Sequence, residues 1–148
     1  MATEGLVGRK APNFLLTTHN GKKVKLSELK GKNIVLVFYC KNNTPGWNRQ
    51  LSALRDDKAQ FEQLNTEVFG VNDAKVEGHK KYADNFGFNF NLLSDTDKKV
   101  SKSFAAIKDD TGGIKRTVVI LDKEGVIRYH EYGMPENNEL LDVIKTLK

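Results

Sequence analysis

The chain has one cysteine, Cys40, in 148 residues. No internal disulfide can form, which excludes a secreted scaffold built on disulfides. Long apolar runs are also missing. The longest, Ile34 to Cys40, falls far short of the ~20 residues that a membrane-spanning helix needs, and reads as a strand. The segment Met1 to Lys10 carries Glu4 and two glycines but no apolar stretch, so no secretory signal is expected and the expected location is the cytoplasm. Histidine is scarce as well. His19, His79 and His130 are widely separated with no second-ligand spacing, so no metal site is expected, and all three read as surface or edge residues. The net charge of +5 is spread among acids, as in Lys123-Glu124 and Asp97-Lys98-Lys99, without an aromatic-plus-basic recognition motif. Neither nucleic acid nor a membrane surface is an expected partner.

What is present describes a soluble domain with an ordinary core: 39% hydrophobic and 29% charged residues, with no repeat or linker. The length suits one domain over residues 1–148. Phe14-Leu15-Leu16 and Val24-Lys25-Leu26 flank Asn20-Gly21, which predicts a hairpin. Ile34 to Tyr39 is continuous and β-branched, the pattern of a strand covered on both faces at the centre of a sheet. Thr44-Pro45 predicts a helix start, with the threonine hydroxyl as cap and proline in the first turn. Leu51, Leu54, Lys58, Phe61 and Leu64 then carry one stripe to about Asn65.

Val68 to Val71 predicts a second strand, and Val76, His79, Ala83 and Phe86 a helix ending at Gly87. Val100 and Phe104 suggest another short helix. Asp95-Thr96-Asp97 lacks the glycine and distal glutamate of a calcium loop and reads as its cap. Thr117–Leu121 and Val126–Tyr132 form a second hairpin before a C-terminal amphipathic helix marked by Leu140, Ile144 and Leu147. Strand, helix, strand, helix specifies a right-handed parallel core. The sum is an α/β, thioredoxin-like domain with a mixed central sheet flanked by helices.

In such sheets, chemistry sits beyond the carboxyl ends of the parallel strands, here residues 40–50. The segment Phe38-Tyr39-Cys40-Lys41-Asn42-Asn43-Thr44-Pro45-Gly46-Trp47 resembles the active-site segment of peroxiredoxins, of the bacterioferritin-comigratory or peroxiredoxin Q type. Ala11-Pro12-Asn13-Phe14, Leu26 to Gly31, Leu54-Arg55-Asp56, Leu92 to Asp95 and Asp122 to Ile127 extend the resemblance along nearly the whole chain. It implies a peroxiredoxin fold and a thiol peroxidase ancestry, with no cofactor. It also implies that Thr44 and Arg116 match the peroxide-positioning pair, with Gln50 beside them in the pocket. The peroxidatic cysteine position falls on Trp47, the resolving position on Ser52, and a family proline on Cys40.

Peroxide reduction needs a polarizable thiolate, which an indole cannot supply. Standard turnover is therefore not expected, and Trp47 is expected to fill or lid the pocket, or else to anchor a partner. Cys40 has three readings: a small buried hydrophobe, a displaced nucleophile reduced by thioredoxin or glutathione, or a site of regulatory oxidation. Arg116 has two, an anion site with Thr44 and the helix amides, or a structural ion pair. A monomer or weak homodimer is expected.

Overall fold

The computed structural model describes residues 6–147; Met1 to Gly5, half of the N-terminal arm, and Lys148 lie outside them. The strands are β1 (Leu15–Thr18), β2 (Lys23–Lys25), β3 (Asn33–Phe38), β4 (Thr66–Asn72), β5 (Asn91–Ser94), β6 (Thr117–Leu121) and β7 (Ile127–Tyr132). The helices are α1 (Pro45–Asp56), α2 (Lys58–Gln63), α3 (Val76–Phe86), α4 (Lys99–Ser103) and α5 (Asn137–Lys145). One sheet takes all seven strands in the order β2-β1-β5-β4-β3-β6-β7. Its middle, β3, β4 and β5, is parallel; antiparallel pairs close it on both sides.

Every residue of β3 is buried, as the unbroken apolar run requires. Its side chains alternate between two cores. Val35, Val37 and Tyr39 join Trp47, Leu51, Leu54, Phe61, Tyr82 and Leu140 on one face. Ile34, Leu36 and Phe38 join Phe14, Phe69, Phe104 and Ile127 on the other. Both parallel crossovers step in the same direction along the sheet, and right-handed connections then put α1, α2 and α3 on one face. Gly87 ends α3 at φ +62, the left-handed position that a helix stop favours.

Three expectations are corrected. The helix expected to run to Asn65 breaks at Asp57 (φ −98, ψ 9), whose carboxylate accepts from Gln60 and from Asn137. Thr44 occupies the cap position of α1, but its hydroxyl makes no cap bond; its carbonyl opens the ladder by accepting the Asn48 amide at 2.7 Å. The histidines are not at the surface. His19, His79 and His130 are 7%, 0% and 7% exposed and each imidazole bonds the main chain, although His130 does lie on the edge strand β7. One strand, β5, was not expected at all. The cap reading of Asp95 holds: its buried carboxylate accepts the Val100 and Ser101 amides and the Ser101 hydroxyl.

Candidate functional site

The carboxyl ends of β3 and β4 and the start of α1 converge as the sequence predicts. Phe38 pairs with Thr117, so the strand register sets Arg116 beside the exit of β3, where Cys40 follows. Arg116 is exposed and has no ion-pair partner among the described residues, while its carbonyl accepts the Gly133 amide. Thr44 and Cys40 are half-buried, and Cys40 packs against the core that holds Trp47. Gln50 donates its amide to the Pro135 carbonyl at 2.9 Å, which ties α1 to the loop before α5. Ser52 is half-buried on the same helix.

Trp47 is 2% exposed. It continues the buried stripe of Leu51 and Leu54 by one turn, and its ring lies 5.6 Å from that of Tyr39. Its indole N–H is buried without a hydrogen-bond partner among the described residues, an arrangement that costs about 1–3 kcal/mol. Packing therefore describes Trp47 better than an exposed anchor does. Gly70 makes the room: a Cβ there would meet Leu92 at 2.7 Å and the Tyr39 ring at 3.2 Å.

Around Tyr39 lies a polar network that the sequence reading missed. The phenol donates to Asn42 Oδ1 at 2.7 Å and lies 3.3 Å from His79 Nδ1. His79 Nε2 is 3.1 Å from the Leu93 carbonyl, which can only accept, so Nε2 carries the proton and Nδ1 is an acceptor, which the Asn42 amide nitrogen also approaches at 3.5 Å. Asn72 accepts the Ala74 amide through Oδ1 and therefore presents Nδ2 to Asn42 Oδ1, at 3.3 Å. Nearby, Tyr82 donates to Asn48 Oδ1 at 2.6 Å. Burial holds His79 neutral, lowering its pKa to about 4, and raises the Tyr39 phenol well above the ordinary range. Burial likewise pushes Tyr82 up to about 12. The signal for His79 was present, since it falls on the apolar stripe of α3. Nothing local connects it to Tyr39, forty positions away.

A sheet with a thioredoxin-like order and a helix starting at Pro45, just beyond the carboxyl end of β3, agree with what comparison finds. Residues 7–130 match the AhpC/TSA family. The chain belongs to that family. Wheat (Triticum aestivum) chloroplastic peroxiredoxin Q is 37% identical over 145 residues, covering 95% of this chain and 67% of that protein. Peroxiredoxin Bcp of Bacillus subtilis is 33% identical, covering 96% and 94%. Among solved structures, a cysteine-to-serine variant of Xylella fastidiosa peroxiredoxin Q superposes with a TM-score of 0.88 at 29% identity, covering 95% of each chain. Mycobacterium tuberculosis BcpB has the same TM-score at 23% identity, covering 96% and 97%, a likeness of fold. This chain is thus a peroxiredoxin of the Q/Bcp type, within a family of thiol peroxidases that serve as antioxidants. No helix of the described residues is long and apolar enough to cross a membrane.

Proposed function

We propose that this peroxiredoxin has given up hydroperoxide reduction at the family's usual position and serves as a binding or regulatory relative, with residues 1–148 acting as one cytoplasmic domain. The observation that carries this reading is Trp47, an indole buried in the core at the first turn of α1, where the resemblance puts the peroxidatic thiol. Ser52 offers no thiol either. Thr44 and the exposed Arg116, without an ion-pair partner among the described residues, leave a cation and a hydroxyl beside a helix N-terminus, which suits a carboxylate or phosphate group of a partner. Gln50 supports that mouth by fixing the loop at Pro135 rather than by facing a ligand.

One observation favours a second reading. Cys40 keeps some solvent access at the exit of β3, which a purely buried thiol would not. As a displaced nucleophile, its thiolate would attack the O–O bond, forming a sulfenic acid and releasing an alcohol or water. Thioredoxin or glutathione would then supply the two electrons that restore the thiol.

Intact mass after stoichiometric hydrogen peroxide at neutral pH, compared with Cys40→Ser, separates the two. No reaction beyond that of free cysteine is expected. A rapid gain of one oxygen, absent in Cys40→Ser, would make the chain an active peroxidase and overturn the first reading. Sedimentation tests the accompanying expectation of a monomer or weak homodimer, and cell fractionation the cytoplasmic location.

A further inference from the structure

The aromatic packing around Trp47 offers chemistry that no thiol is needed for. We propose that Trp47 and Tyr39 form a one-electron donor pair for organic peroxyl radicals, in which Tyr39 passes its electron to the oxidised indole and its proton to His79 Nδ1. The inference stands whether or not Cys40 reacts.

Three features of the site carry it. The rings of Trp47 and Tyr39 are 5.6 Å apart and both buried, so an electron can pass between them without movement of the chain. A phenol that loses an electron becomes a very strong acid and gives up its proton to a base within hydrogen-bond reach. Two acceptors lie within reach of the Tyr39 oxygen, Asn42 Oδ1 at 2.7 Å and His79 Nδ1 at 3.3 Å. An amide oxygen is a negligible base, whereas His79 Nδ1 is an acceptor because Nε2–H is directed at the Leu93 carbonyl, and the phenol oxygen at 3.3 Å is nearer to it than the Asn42 amide nitrogen at 3.5 Å. The imidazole is a weak base in this setting, but an oxidised phenol is a far stronger acid than any imidazolium.

Tyr82 makes the contrast. Its ring is 6.4 Å from that of Tyr39, yet its hydroxyl donates at 2.6 Å to the amide oxygen of Asn48 and, unlike that of Tyr39, has no imidazole nitrogen as a partner among the described residues. The hole therefore stops at Tyr39.

The step balances as follows in atoms and electrons. A peroxyl radical takes one electron from the indole and one proton from solvent to become a hydroperoxide. Tyr39 returns the electron to Trp47 while its phenolic proton moves to His79, leaving a neutral tyrosyl radical and an imidazolium. An external one-electron reductant, such as ascorbate, then restores the phenolate oxygen, and the proton comes back from His79.

Trp47 is the single tryptophan of the chain, so a flash at the red edge of indole absorption, with hexaamminecobalt(III) to take up the ejected electron, oxidises that residue selectively. The tryptophanyl band should decay into a tyrosyl band at a rate independent of protein concentration, and more slowly in heavy water. Tyr39→Phe should lose the tyrosyl band, Tyr82→Phe should keep it, and His79→Gln should slow its rise and lose the isotope effect. The emission spectrum of Trp47 reports whether each variant keeps its fold. A tyrosyl band that survives in Tyr39→Phe, or that fails to form in the wild type, overturns the pair. A rate indifferent to both His79→Gln and heavy water overturns the proton acceptor. With peroxyl radicals generated from a thermally decomposed azo compound, the wild type should protect a fluorescent reporter longer than Tyr39→Phe; equal protection would remove peroxyl radicals as the substrate.

Discussion

Acidification should weaken the fold through His79, and the burial of the imidazole sets the sign. The imidazole is fully buried, its Nε2–H bonds the Leu93 carbonyl, and its pKa is lowered to about 4 from an ordinary 6.5, chiefly by burial. Between these two values the unfolded chain binds a proton that the folded chain does not, so stability rises with pH across the window. It is greatest above pH 6.5 and falls as pH drops toward 4. The shift corresponds to about 3 kcal/mol lost over that range, near 1.4 kcal/mol for each pH unit at the steepest point. His19, also lowered by burial, adds in the same direction. Asp122, held below the usual carboxylate range by the Arg128 guanidinium and two amides, despite the opposing effect of burial, loses its contribution only at still lower pH. Urea unfolding of the wild type and His79→Gln at steps from pH 7 to pH 4.5 isolates the His79 part. The variant should be less stable at pH 7 but have the shallower slope. Parallel curves for the two proteins would refute a desolvated imidazole at this position.

Trp47→Ala should cost about 3–5 kcal/mol in urea or thermal unfolding, the range for emptying a large aromatic site, whereas Arg116→Ala on the exposed surface should stay within about 0.5 kcal/mol. Asp95→Ala should cost about 2 kcal/mol or more, since three donors of the first turn of α4 lose one buried carboxylate; Asp95→Asn should recover part of it. Gly70→Ala should cost about 1–3 kcal/mol, because the added methyl meets Leu92 at 2.7 Å and must displace it or the Tyr39 ring; a shift in Trp47 emission would accompany the loss.

The parts of the fold that were legible are those whose cause is local. Asn20-Gly21 supplies the turn between β1 and β2, with Gly21 at φ +83, and the unbroken run of β3 declares burial on both faces. Strand β5 was hidden because only Leu92 and Leu93 mark it; its place comes from pairing with β4 on one side and β1 on the other. The break at Asp57 was hidden for the opposite reason. Apolar spacing continues through Phe61 and Leu64, so periodicity alone reads one helix where the backbone makes two. At the site, the residue types and the neighbourhood of Thr44, Cys40 and Trp47 could be read from the segment, but the role of Tyr39 could not. In the sequence Tyr39 reads as one more residue of a continuous strand, although its hydroxyl reaches across to α3 and to the Asn72 amide's partner, Asn42.

The placement of Trp47 explains how an indole in the first turn of α1 is compatible with the family's fold. Residues 47, 51 and 54 share one face of α1, so an apolar side chain at 47 lengthens a stripe already buried against Tyr39. The bare backbone of Gly70 leaves the Tyr39 ring its position beneath it. An indole there gains contact area from the core and brings no nucleophile to the helix mouth. The groups around that mouth are not held by the same packing: Arg116 is exposed, and Thr44 leaves its hydroxyl uncommitted to the cap. Stability and surface chemistry therefore separate at this position. Substitutions at 47 should move the unfolding midpoint strongly and substitutions at 44 or 116 should move ligand affinity, so a Thr44→Val, Arg116→Ala protein that loses affinity for a carboxylate or phosphate probe while unfolding like the wild type would separate the two roles experimentally.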